Sequence, residues 1–279
     1  MTRCQPRWQE VPKLSEQKEF LLSRLGFRFG LNGPHAARTM MLDDLRQLFS
    51  HTALSAQRGD FVQAVVAENV LGKPTKKARE LAMHHLVALY GLTTENPIFR
   101  ALRRLWDANP DAQPLMALGV ALARDPLLRG TQSFYLSKQA GETVSRESVE
   151  ALLAAAHPDR FSPASLRSFA QNVSGSWTSA GFLQGRQRKT KVQPNICPES
   201  VALLLFLGFL EGRTGQRLFS TNWTSLTGLS QEELEAHASA ASHRGLLVFM
   251  NAGGVKEVRF PGFLTPEEEK VRQEVSHVV

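Results

Sequence analysis

The sequence predicts a mostly α-helical protein, built of helix-turn-helix and winged-helix modules in helical bundles with small β-hairpin wings. Three observations predict that class. Apolar residues recur at helical spacing, as in Leu166, Phe169, Ala170, Val173, Trp177 and Ala180. Two helical stretches meet at the break LGKPT, residues 71–75, where Gly and Pro forbid a continuous helix. The strongest strand signal comes late, where LLVFM and VKEVRF flank NAGG in the pattern of a β-hairpin.

Residues 1–14 read as a flexible arm. Its MTRCQPRWQEVPK has no apolar core and no small-residue cleavage site, so a signal peptide is not expected there. Residues 15–110 are expected to form a first helical domain. Ser15 to Leu25 reads as a helix stopped at Gly26, and Pro34 to Phe49 as another with Pro in its first turn. Phe61, Val62, Val65 and Val66 give a short helix before the LGKPT break. Thr75 can cap the helix beyond it, in which Ala78, Leu81, Ala82, His85 and Leu89 share one face, with Lys76, Lys77, Glu80, Met83 and His84 broadly opposite and Arg79 at the flank. Two helices joined by a Gly/Pro turn, the second opening with Lys-Lys, have the helix-turn-helix outline, which any helical hairpin shares. His85 reads as a core histidine. His84 reads as exposed, either inert or near a phosphate. Pro97 to Trp106 is a further helix carrying Arg100, Arg103 and Arg104.

Residues 111–197 form the expected second helical domain, with helices over Leu115–Arg124, Leu127–Leu136 and Arg146–His157. The stretch from Phe161 to Lys191 completes it. Ser162 caps a helix, Pro163 fits its first position and Gly181 ends it. Its other faces carry Arg167, Ser168, Gln171, Asn172, Gly175 and Ser179, short polar groups without a carboxylate. Arg186, Arg188, Lys189 and Lys191 then place four bases within six residues, and no Asp or Glu occurs between Arg160 and Pro198. An acid-free polar helix followed by a basic arm suits a helix in a DNA groove beside a wing on the backbone. A solvated surface helix with a basic loop is the plainer alternative.

Residues 198–279 form the expected winged-helix-like module. Val201 to Leu210 is apolar on nearly all sides and should be buried, being too short at ten residues to span a bilayer. Trp223 to Leu229 is a short helix, and Ser230 with Glu233 is a capping box that opens another, to about His243. The hairpin follows, and Thr265 opens a last short helix prone to fray. The helix before the hairpin starts with Glu232, Glu233 and Glu235, which would repel phosphate, so this module is expected to contact protein.

The charge is unevenly spread along the 279 residues. The net charge is +7, yet residues 199–279 hold ten acids against seven bases, so residues 1–198 carry +10. A basic body and an acidic end suggest one polyanionic partner and one that is not. With 42% hydrophobic residues, each module can bury a core. Cys4 and Cys197 stand far apart and nothing marks them as a pair, so a reducing, cytoplasmic setting is expected. The sequence has no Walker A or GxGxxG loop, no HExxH, no zinc-finger set and no GxSxG elbow. Glu80 and His84 stand at i, i+4 but lack a third ligand. No catalytic constellation, metal site or cofactor is expected.

Three segments, AENVLGKPTKKARELAMHHLVALYGL, LARDPLLRG and FSPASLRSFAQNVSGSWTSAGFLQ, resemble the BrxA family of BREX phage-defence systems. The matching positions are Asn69, Lys76, Lys77, Arg79, Arg167, Gln171, Asn172, Gly181, Phe182 and Leu183, and the likeness extends over roughly Phe20 to Phe263. The resemblance implies a helical, non-enzymatic accessory protein that binds double-stranded DNA. Its implied setting is a bacterial operon with an ATPase, a methyltransferase and a PglZ-type protein. Together with the charge pattern it makes Lys73, Lys76, Lys77, Arg79, Arg167, Ser168, Gln171, Asn172, Arg186, Arg188, Lys189 and Lys191 the candidate DNA-binding residues. Other defence-system proteins would meet the C-terminal module. A sequence-specific transcription regulator, a protein-only scaffold and an RNA-binding protein remain alternatives.

Overall fold

Several helix starts fall where side chains satisfy the orphan amides. The computed structural model describes residues 14–31, 33–186 and 188–278, so Cys4 and most of the N-terminal arm lie outside the described residues. The first helix, α1 (Glu16–Arg24), is capped by Ser15, whose hydroxyl accepts from the Lys18 amide. Next come α2 (Leu42–Ser50) and α3 (Arg58–Val62), whose end widens into a π-helical turn at Gln63–Ala67. Thr75 caps α4 (Lys76–Tyr90) and Asn96 caps α5 (Pro97–Trp106). Then follow α6 (Gln113–Arg124), α7 (Pro126–Arg129), α8 (Gln132–Leu136) and α9 (Arg146–Ala156). Ser162 caps α10 (Pro163–Ser179) by accepting from the Ser165 amide at 3.2 Å. The last three helices are α11 (Pro198–Leu210), α12 (Gln231–His243) and α13 (Pro266–His277).

Two small antiparallel sheets complete a mostly helical fold. Strands β1 (Thr143–Val144), β2 (Leu183–Gln184) and β3 (Lys189–Lys191) form one, with β3 in the middle pairing Thr190 with Thr143 and Leu183 with Lys191. Strands β4 (Val248–Ala252) and β5 (Val255–Arg259) form the late hairpin. Its strands extend further into NAGG than the sequence indicates, and Gly253 and Gly254, both at positive φ, make the two-residue turn.

One hydrophobic cluster runs from Leu21 to Val275. At its centre α11 packs against both α6 and α5. Nearly every side of α11 is buried, because its run of Val, Leu and Phe leaves no polar stripe to face water. Gly119 of α6 allows the approach: a Cβ there would stand 3.1 Å from the Leu204 side chain. The chain also closes on itself, since α13 packs along α1 and the Lys18 ammonium donates to the Val278 carbonyl. α13 is therefore a docked helix of twelve residues with Val271 and Val275 buried, rather than a short helix prone to fray.

Three further expectations are corrected. Residues 34–49 do not form one helix: a 3₁₀ turn at Pro34–Ala36 is followed by extended chain, a left-handed Met41 and then α2. On α4 the buried set is Ala82, Met83, His85, Leu86, Leu89 and Tyr90, while Leu81 is exposed. The inward face is thus rotated, because α4 is covered by α6 on one side and by the π turn on another. The stretch Leu127–Leu136 is split into α7 and α8 around Gly130 and Thr131. Truncating Leu204, fully buried on α11, should cost about 2–5 kcal/mol as Leu204→Ala. Urea unfolding checks this, and a loss under about 1 kcal/mol would mean that α11 is not the packed centre.

Candidate nucleic-acid interface

A buried carboxylate organises the surface that carries most of the candidate residues. Asp125 precedes α7 and is fully buried. Its Oδ1 accepts from the amides of Leu127 and Leu128, and its Oδ2 from the amide and the Nδ1–H of His35, at 2.8 and 2.7 Å. A carboxylate only accepts, so Nδ1 carries the proton. On the other side of the ring, Nε2 lies 2.7 Å from the Ser176 hydroxyl on α10. That hydroxyl also accepts from the Met40 amide at 2.7 Å. The Met40 carbonyl accepts from the Tyr90 hydroxyl of α4, and the Asn172 amide group donates to the His35 carbonyl at 3.0 Å. Residues 35–40 are thereby clamped between α4 and α10. Side chains satisfy this backbone, which explains why it is not helical.

The clamp leaves no room for change at Gly33, where a Cβ would stand 1.7 Å from Asp125 Oδ1. Burial alone would push the Asp125 carboxyl up; the hydrogen bond and charge of His35, with backbone amides, hold it below its ordinary value. Asp125, His35 and Ser176 have the order and spacing of a nucleophilic triad. All three are fully buried, and the Ser176 oxygen already accepts the Met40 amide, so no substrate could reach it in this conformation. The arrangement acts as a structural clamp.

Arg38 is the side chain that the clamp displays. It is exposed, its guanidinium donates to the adjacent Ala37 carbonyl, and it makes no ion pair among the described residues. It lies close enough to His85 on α4 to disfavour protonation there, although burial is the larger cause of that lowered pKa and the neighbouring His84 also contributes. Sequence reading passed over Arg38 because a lone arginine between helices carries no local signal. On one side of it stand His84 and His85 on the later turns of α4, with Lys77 two turns nearer the helix start on the His84 face; on the other stands α10.

The twelve candidate residues divide into two groups. Lys77, Arg167, Ser168, Gln171 and Arg186 are exposed and make no hydrogen bond or ion pair among the described residues, and exposed Arg188 donates only to the Thr143 hydroxyl. The others are engaged to differing degrees. Lys73 pairs with Asp44 at 2.7 Å, and exposed Lys76 loosely with Glu80 at 4.0 Å. Arg79 donates to the Val66 carbonyl at 2.8 Å, bracing the turn before α4. Asn172 holds His35. Lys189 donates to the Thr178 hydroxyl at 2.6 Å, and Lys191 is buried with its ammonium 4.4 Å over the Phe182 ring. Burial lowers the pKa of both lysines. The four-base arm is therefore corrected to a basic turn of Arg186 and Arg188. Its other half is the central strand of a sheet packed under α10, where strand pairing fixes the side chains.

These exposed cations follow α10. Arg167 lies near its start, and Arg188 adjoins Lys189, which reaches Thr178 near its end. Buried anchors hold the helix from beneath: Trp177 donates to the Thr131 hydroxyl at 3.1 Å and stacks on Tyr135.

The late module also spends charge internally. Glu233 accepts from the Ser230 amide to close the capping box, and Glu235 pairs with Lys256 of the hairpin. Of the three carboxylates expected to repel phosphate, only Glu232 is left unengaged.

No family model matches the chain, and no curated protein matches it. No helix among the described residues is long and apolar enough to cross a membrane.

Removing the clamp should cost more than an ordinary polar deletion. Asp125→Ala leaves His35 and two amides without an acceptor and should destabilise by about 3–5 kcal/mol. The depressed pKa also fixes a pH dependence. Its folded value lies below the unfolded one, so its stability contribution is present above 3.8 and is lost as pH falls through the folded value. Asp125→Asn should flatten that acid limb in a series of thermal unfolding curves. Parallel acid limbs for both proteins would show that Asp125 does not carry it.

Proposed function

We propose that the chain is a non-enzymatic DNA-binding accessory protein that grips duplex DNA through the phosphate backbone. The observation that carries the reading is the clamped segment, which sets Arg38 between the His84–His85 turn of α4 and the part of α10 around Asn172 and Ser176. Lys77, Arg38, Arg167, Arg186 and Arg188 make a cationic track without acid partners. Flexible cations contact phosphates without reading bases, so the track supplies affinity and orientation rather than sequence choice. Ser168 and Gln171, which donate and accept on the same exposed face, are suited to base edges if α10 enters a groove.

In this reading α3, its π turn and α4 act as a helix-turn-helix, and the 198–279 region as a winged-helix module that meets protein. The exposed apolar side chains of the hairpin support the protein contact better than the glutamates do. Val255 is 74% exposed and Met250 42% exposed, side chains that a phosphate backbone would not bind. The resemblance to the BrxA family implies a phage-defence assembly as the setting, with the protein as an adaptor between DNA and the other components.

Five free cations predict a salt slope. In fluorescence anisotropy titrations on an unrelated duplex, log affinity should fall with log salt at a slope of about −4 to −5. Joint replacement of Arg38 and Arg167 by Ala should reduce the slope by roughly 2, on every duplex alike. Lys191→Ala should leave the slope unchanged. A flat salt response in the parent, or a double variant with the parent slope, would count against the interface.

A further inference from the structure

A separate cavity lies where α5 meets the turn between the hairpin and α13. It is a half-open pocket of about 390 Å³, within the size range of small-molecule pockets. Phe99, Ala101, Phe263 and Leu54 supply apolar wall, and Arg100, Arg103 and Arg104 also line it. Leu54 is 62% exposed at its edge.

The three arginines are not equally satisfied. Arg100 pairs with Glu268 and donates to the carbonyls of Thr94 and Phe263. Arg103, itself buried, pairs with Asp107, while its Nε has no hydrogen-bond partner. Arg104 has no carboxylate among the described residues. It donates one hydrogen bond, to the Pro261 carbonyl at 3.1 Å, and its guanidinium lies 4.5 Å over the Phe263 ring. An apolar chamber beside an uncompensated, ring-supported guanidinium suits a ligand with an apolar body and one anionic head. A planar guanidinium can meet a carboxylate or a phosphate with two parallel hydrogen bonds.

We propose that this cavity binds a small amphiphilic anion, an aromatic carboxylate or phosphate ester, with Arg104 holding the head and Phe99, Phe263 and Leu54 the body. The site joins two parts of the chain, because Arg100 and Arg104 both donate to carbonyls in 261–263. Occupation therefore tightens the seam between α5 and the C-terminal region, as any ligand selective for the folded state stabilises it.

Isothermal titration of the full chain with naphthylacetate, naphthyl phosphate and the neutral naphthylacetamide tests the site. At least one anion should bind saturably, and about tenfold or more tighter than the amide. Arg104→Ala and Leu54→Glu change exposed side chains and should keep the parent's circular dichroism. Each should weaken that anion by about tenfold, the first by removing the cation and the second by adding a like charge. Both variants should bind duplex DNA like the parent, which keeps this site distinct from the α4–Arg38–α10 face. No saturable binding, equal affinity for anion and amide, or unchanged anion affinity in the folded variants would overturn the proposal.

Discussion

Four hydrogen bonds to one buried carboxylate hold residues 33–40 against α7 and, through His35, against α10. Asp125 is an expensive residue to bury, and it is tolerated because every oxygen it presents is met by a donor. The same side chain caps α7 and fixes His35, and His35 in turn reaches Ser176. One interaction thus joins three distant parts of the chain. The clamp has little freedom to loosen by degrees, since losing any one partner leaves a desolvated polar group behind. Its outward consequence is the rigid presentation of Arg38.

Two sets of cations in residues 1–198 do different work. Lys73, Arg79, Arg100, Arg103 and Arg124 are bound to carboxylates or carbonyls and hold the fold. Arg38, Lys77, Arg167, Arg186 and Arg188 are left in water without an opposing charge. A positive excess of +10 over residues 1–198 matters for long-range attraction, but of these two sets it is the second that can release counterions on contact with a polyanion. Lys191 shows why composition alone overstates the surface. It belongs to the densest basic run in the chain, yet it is buried against Phe182.

What the sequence made legible was local. Ser15, Thr75, Ser162, Ser230 and Thr265 are caps whose hydroxyls accept from amides three residues on, and all five helices begin where those residues stand. The late hairpin and the burial of α11 were legible for the same reason, each being written in a few consecutive residues. The clamp was not, because His35, Asp125 and Ser176 are widely separated in sequence and nothing near any of them signals the other two. The same long-range bonds broke the helix expected over 34–49. Of the candidate surface, the Arg167–Gln171 face and Lys77 were legible from helical periodicity. Lys189 and Lys191 were misread as a free arm, since their pairing partner Thr143–Val144 lies more than forty residues earlier.

The central claim is that duplex DNA lies across α4, the clamped segment and α10. Hydrogen–deuterium exchange of the full chain, with and without a blunt-ended duplex at low salt, tests it most directly. The account predicts added protection in 36–41, at the start of α4 and in the first half of α10, with the β4–β5 hairpin unchanged. Protection confined to the hairpin and α12, or no change at saturating duplex, would contradict it.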